Sequence, residues 1–138
     1  MKIKKHEVLF MFDFVRKLNE ECDVPLPQKG DQDWEFCAGD YTRTEYYIKF
    51  YKKYSDEMES GDFSDKEQLS DMIIQGIEDL LTYTDDTEYA DKLWNEFRQI
   101  LINDELYRNI VYWSCIGHPL ENCWKITSRM RDLLRELI

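Results

Sequence analysis

Three times in this chain a helix-start signal is followed at once by apolar residues three and four apart, and that combination dictates a helical fold. Thr42-Arg43-Thr44-Glu45 and Ser64-Asp65-Lys66-Glu67 match the capping box, and Asp85-Asp86-Thr87-Glu88 is its aspartate form. In each, the first side chain is placed to accept from the third helical amide while the glutamate reaches back. Behind these starts, Tyr47, Phe50, Tyr51, Tyr54 and Met58 line one predicted helix. Leu69, Met72, Ile73, Ile77, Leu80 and Leu81 line the next, and Leu93, Trp94, Phe97, Ile100 and Leu101 the third. Start signal and period agree each time.

The same period extends to the rest of the chain. Val8, Met11, Phe12, Val15 and Leu18, with Phe10 and Phe14 on a second face, predict a first helix. A helix from about Glu105 to Ile116 carries Leu106, Tyr107, Ile110, Val111, Tyr112 and Trp113, leaving little polar face, so it is expected to be the most buried. Gly117-His118-Pro119 ends it, and Thr127 or Ser128 is expected to cap a last helix carrying Met130, Leu133, Leu134 and Leu137. Gly76 lies inside a helix, where it permits close approach of a neighbour. Strand alternation and fixed-period repeats are both missing from the sequence. The expected fold is all-α: an irregular bundle of about six helices forming one domain over residues 1–138. One long loop after the first helix, from about Cys22 to Tyr41, is expected to be packed through Trp34 and Phe36.

Charge narrows the function. Lys and Arg number 18 against 29 Asp and Glu, a net charge of −11 over 138 residues, which argues against nonspecific binding to nucleic acid or anionic membrane. An apolar fraction of 43% provides ample core and argues against disorder. Lys2, Lys4 and Lys5 precede a short apolar run that Asp13 interrupts, and no small-residue cleavage site follows. A cytoplasmic protein with Cys22, Cys37, Cys115 and Cys123 as reduced thiols is expected.

Motifs for chemistry are weak. Cys115-x2-His118-x4-Cys123, with Cys37 as a fourth ligand, has finger-like spacing and defines a metal-binding alternative, but it lacks a paired C-x2-C element. Asp31-x-Asp33-x-Glu35 begins like a calcium loop, yet Phe36 and Thr42 stand where glycine and a bidentate glutamate are required. His6 and His118 are the sole histidines, and neither has an orienting partner in sequence for nucleophilic catalysis. The run Tyr46 to Tyr54 mixes aromatics with Lys49, Lys52 and Lys53, as a single-strand binding face does. Its spacing is that of a core stripe, with the lysines left to pair with carboxylates. The expected protein is not an enzyme and needs no cofactor.

What stands out is where the acid lies. Residues 20–41 hold seven carboxylates against one Lys, and residues 55–91 hold thirteen against one Lys. A solvated surface explains such blocks, and so does recognition of a basic protein partner. On the second reading the binding edge comprises Asp31, Asp33, Glu35, Asp62, Asp65, Asp85, Asp86 and Glu88, with Trp34 and Phe63 as anchors. A phage-type acidic inhibitor of a nucleic-acid enzyme would share these features.

The chain resembles the immunity proteins of bacterial contact-dependent growth inhibition and related polymorphic toxin systems. The resemblance lies around Tyr112-Trp113 and in Leu120-Glu121-Asn122-Cys123-Trp124-Lys125-Ile126-Thr127. It implies a protein that binds a cognate toxin domain, often a nuclease, and blocks its active site or its access to substrate. It assigns no binding residue.

Overall fold

Residues 12–138 are described here from a computed structural model. The sequence readings on His6, Val8, Phe10 and Met11 lie outside the described residues. Among the described residues the chain forms helices α1 (Phe14–Cys22), α2 (Trp34–Cys37), α3 (Thr44–Tyr54), α4 (Asp65–Tyr83), α5 (Thr87–Asn103), α6 (Tyr107–Ser114) and α7 (Thr127–Leu137). Single 3-10 turns occur at Tyr41–Arg43 and Leu120–Asn122, and no strand occurs among these residues. The all-helical class holds. The extra element is α2, one turn long, inside the segment that follows α1.

The helix starts obey capping chemistry, with shifts of register. Asp13 caps α1 by accepting from the Arg16 amide at 3.2 Å, so that helix begins after Phe12 rather than including it. Ser64 caps α4, accepting from the Glu67 amide at 3.3 Å, while Glu67 Oε1 accepts from the Phe63 amide at 2.8 Å, one residue earlier than the box requires. Asp86, not Asp85, caps α5 through the Tyr89 amide at 3.0 Å. Thr42 caps nothing. Asp40 Oδ1 accepts from both the amide and the hydroxyl of Thr42, folding a 3-10 turn that delays α3 to Thr44. Neither Thr127 nor Ser128 caps α7. The Ile126 amide instead donates to Glu78 Oε1 on α4 at 2.8 Å, and the Thr127 hydroxyl donates to the Trp113 carbonyl at 3.0 Å. The last helix therefore starts on groups supplied by other helices, which sequence spacing does not reveal.

Helix α4 is the centre of the molecule. It packs against α2, the Tyr41–Arg43 turn, α3, α5 and α6. Leu69, Met72, Ile73, Ile74, Ile77 and Leu80 are all buried on it, too wide an arc for one face. This corrects the expectation that the 105–116 helix is the most buried, because Tyr107, Val111 and Tyr112 on α6 are each about half exposed. Burial on α6 is confined to Asn109, Ile110, Trp113 and Ser114. The aromatic run on α3 is core, as its spacing implies: Tyr47, Phe50 and Tyr51 are buried, while Lys49 pairs with Glu45, Lys52 with Glu96 and Lys53 with Glu21.

Gly76 marks a close approach of α4 to the start of α3. A Cβ at this position would lie 2.2 Å from Thr44 Oγ1, which is buried and donates to the Tyr41 carbonyl at 2.8 Å. Alanine would gain about 1 kcal/mol of helix propensity, but overpacking a tight core costs about 1–3 kcal/mol and Thr44 would have to give up its bond. Gly76→Ala is expected to destabilise the protein by about 2 kcal/mol net, read from the urea midpoint. A neutral or stabilised variant would show that α3 and α4 are not in close contact there.

Candidate partner-binding cleft

A cleft of about 360 Å³ opens where the first turns of α4 meet α6 and α2. Its walls include Asp33, Glu35, Glu67 and Asp71, the aromatics Phe36, Phe63 and Tyr112, and the polar residues Gln68, Asn109 and Arg108. Helical spacing assembles it. Glu67 and Asp71 are four apart on α4, and Asn109 and Trp113 are four apart on α6, so each pair shares a face. The two faces meet through hydrogen bonds. Asn109 Nδ2 donates to the Glu67 carbonyl at 3.0 Å and to Asp71 Oδ1 at 2.9 Å, and Trp113 Nε1 donates to the same Oδ1 at 2.9 Å.

Asp71 is an unusual carboxylate. Burial pushes its pKa up to about 6, the two donors oppose that rise, and Glu35 and Glu67 add to it. Among the described residues no Lys or Arg forms an ion pair with it. The cleft's own cation is engaged elsewhere: Arg108 lies 4.4 Å from the Phe63 ring centroid and 3.4 Å from Asp62. Nearby, the Tyr112 phenol is raised by burial first and then by Asp71, Asp33 and Glu35, as expected where three acids converge. Behind the cleft Trp113 packs on Phe36, Tyr112 and Trp124, with ring centroids 5.9, 5.5 and 4.6 Å away.

The expected acidic edge is divided by this geometry. Asp33, Glu35 and Phe63 come together in the cleft, with Asp62 beside it through Arg108. Asp31 lies in a neighbouring hollow under the 25–38 loop and accepts from the Gln28 amide at 2.7 Å. Asp65 accepts from the Glu59 amide at 3.1 Å, an intramolecular turn contact. Asp85, Asp86 and Glu88 lie at the far end of α4, where Tyr83 is roughly 18 Å of helix rise from Asp71. Trp34 is not available as an anchor. It is buried, its Nε1 donates to the Pro25 carbonyl at 2.7 Å, and it packs edge-on against Phe14. Phe63 is the reverse case, 76% exposed on a backbone with φ 56°.

Asp71, Asn109 and Arg108 were not singled out from sequence, and Glu67 was read only as part of a helix start. One signal was present: Asn109 is a lone amide in the apolar stretch 106–113, and such a residue is buried only when its polar atoms have work.

The cysteines need a correction. Cys115 and Cys123, expected as separate reduced thiols, form a disulfide with Cα atoms 6.1 Å apart. Cys115 does not continue the helix but closes it in the left-handed conformation, and the chain returns through Gly117 and the Leu120–Asn122 turn. Arg131 also ties this loop, donating to the carbonyls of Ser114, Cys115 and His118. The bridge removes both thiolates that the metal alternative requires, and Cys37 is exposed on α2. Among the described residues no group of His, Cys, Asp or Glu is arranged to hold a metal ion. Burial raises the Cys22 thiol to about 11, which leaves it inert at neutral pH. No helix among the described residues is long and apolar enough to cross a membrane. Comparison of the chain with family models, with curated proteins and with solved structures finds no match.

Proposed function

We propose that this chain is an immunity-type binding protein that neutralises a basic, cytotoxic toxin domain without catalysis or cofactor. The observation that carries the reading is the cleft: three carboxylates and three aromatic rings around a half-buried acid, Asp71, that pairs with no cation among the described residues. Such a site is complementary to a protruding basic side chain. A domain that handles nucleic acid presents basic side chains in its active-site groove, so a nuclease domain is the favoured target. The net charge of −11 adds long-range attraction to that encounter.

The test begins with capture of partners from the native organism at low salt, and continues with purified components. Reversal at the cleft, Asp33→Lys with Glu35→Lys, is expected to slow association with the captured toxin domain about tenfold and to flatten its salt dependence. Reversal of Asp85, Asp86 and Glu88 serves as a control, because their distance from the cleft exceeds the screening length of about 8 Å at physiological salt. Stopped-flow mixing reads both. Equal association rates for wild type and the cleft variant would remove the cleft from the proposal, and failure to capture a basic toxin domain while its gene is expressed would remove the immunity reading.

A further inference from the structure

We infer that Cys115 and Cys123, with Arg131, form a reversible thiol–disulfide site that exchanges with dithiols while the fold stays intact. The inference is independent of the binding reading above. Only eight positions separate the two cysteines. A cross-link over so short a span constrains the unfolded chain far less than one closing a long loop. The folded loop also has ties of its own. Arg131 Nε donates to the Ser114 carbonyl at 2.7 Å, and its Nη2 donates to the carbonyls of Cys115 and His118 at 2.7 and 2.8 Å. The Thr127 hydroxyl holds the Trp113 carbonyl, and the Trp124 ring, next to Cys123, packs on Tyr112 and Trp113. None of these contacts uses the sulfur–sulfur bond, so its cleavage leaves the two thiols adjacent.

Arg131 gives the two sulfurs unequal roles. Its Nη2 contacts Cys123 Sγ at 3.7 Å, and Cys115 Sγ has no such contact among the described residues. A guanidinium beside a sulfur stabilises the thiolate over the thiol. The Cys115 and His118 carbonyls, 3.6 and 3.9 Å from Cys123 Sγ, favour the protonated thiol instead. Both oxygens already accept from Arg131, and a neutral S–H is a weak donor, so the charged contact prevails. Other charges nearby are turned to other partners or to solvent. His118 and Glu121 within the ring are exposed, Lys125 donates to the Leu81 carbonyl, and Asp132 on α7 pairs with Arg135. Neither bridged cysteine is buried, unlike Cys22. With a dithiol as reductant, its thiolate attacks Cys115 Sγ, the S–S bond breaks, and Cys123 leaves as a thiolate beside Arg131. The second thiolate of the reductant then attacks the reductant's own sulfur in the mixed disulfide, releasing Cys115. Two electrons pass to the protein; one proton of the dithiol ends on Cys115 and the other goes to solvent.

The experiment equilibrates the full chain with mixtures of reduced and oxidised dithiothreitol at pH 7.5. Acid quenching, alkylation and mass spectrometry count the reduced cysteines, and far-UV circular dichroism follows the helices. Half-reduction is expected with the oxidised reagent in excess, by about tenfold, and with the helical signal retained. Arg131→Gln removes the stabilising charge and should shift the equilibrium toward the disulfide about tenfold, or about 30 mV. Cys115→Ser leaves Cys123 unbridged with Arg131 in place, and so tests the thiolate even if Arg131→Gln does not fold. At pH 6.5 iodoacetamide should alkylate Cys123 in that variant several-fold faster than the exposed Cys37. Buried Cys22, its thiol pushed up to about 11, should stay unmodified. Loss of the helical signal on reduction, half-reduction only with the reduced reagent in excess, alkylation of Cys123 no faster than Cys37, or an unshifted equilibrium in folded Arg131→Gln would each overturn the site.

Discussion

Replacement of Trp113 by alanine is expected to lower the stability of the protein by about 3–5 kcal/mol, as for other large buried aromatics. Trp113 is fully buried and sits at the junction of three helices. Its ring packs against Phe36 from α2, Tyr112 from α6 and Trp124 from the segment before α7. Its carbonyl accepts from the Thr127 hydroxyl, and its indole N–H satisfies Asp71. Truncation therefore opens a cavity and also leaves a half-buried carboxylate with one donor fewer. Trp113→Phe helps to separate these contributions, since it keeps much of the apolar contact, leaves a smaller cavity and removes the N–H. It should cost about 1–3 kcal/mol, the price of an under-satisfied buried acceptor. Urea unfolding at pH 7.5 measures both. A loss below 1 kcal/mol for the alanine variant would mean that the aromatic cluster does not hold α6 and α7 on α4.

Asp71→Asn is expected to do the opposite, raising stability at neutral pH by about 2–3 kcal/mol. The sign follows from the direction of the pKa shift. An aspartate in the unfolded chain titrates near 4, and Asp71 in the folded protein is raised to about 6. The folded state thus holds this proton more tightly than the unfolded state. Its contribution to stability is fully present below about pH 4, falls as pH rises through 6, and is gone above. Asparagine stays neutral at every pH and retains an oxygen for the bonds from Asn109 and Trp113. The two proteins should be nearly equal at pH 4, diverge between pH 4 and 6, and differ by a constant amount above. Thermal or urea unfolding across that range checks it, and a variant less stable than wild type at pH 7.5 would contradict it. On the proposed function, a carboxylate that opposes its own fold, and is not paired with a cation among the described residues, serves binding rather than folding.

The contrast between fold and site shows what a sequence makes legible. Helices α3, α4 and α5 were readable because cap and apolar period are local signals, encoded within a dozen residues. Thr42 misled because Asp40, two residues earlier, bonds its amide and hydroxyl and uses them in a 3-10 turn. The last helix starts where the sequence placed it, at Thr127, but its capping was not readable, since Glu78, which receives the Ile126 amide, lies on another helix 48 residues away. Burial of α6 was overestimated for a related reason. Periodicity reports that a residue is apolar, and only tertiary placement decides that Tyr112 and Val111 face outward while Asn109 faces in. The acidic blocks showed where charge accumulates along the chain. They could not show that Asp33 and Glu35 converge with Asp71 while Asp85 and Asp86 lie at the other end of α4.

The central claim is that the cleft around Asp71 receives a basic group of a toxin domain, and one variant tests it most directly. Equilibrium binding of the captured domain should be compared between wild type and Asp71→Asn at pH 7.5, alongside their unfolding midpoints. Affinity at least tenfold lower in a variant that is more stable is the predicted result, because the charge that opposes folding is the charge that binds. Unchanged or tighter binding by the stabilised variant would contradict the account.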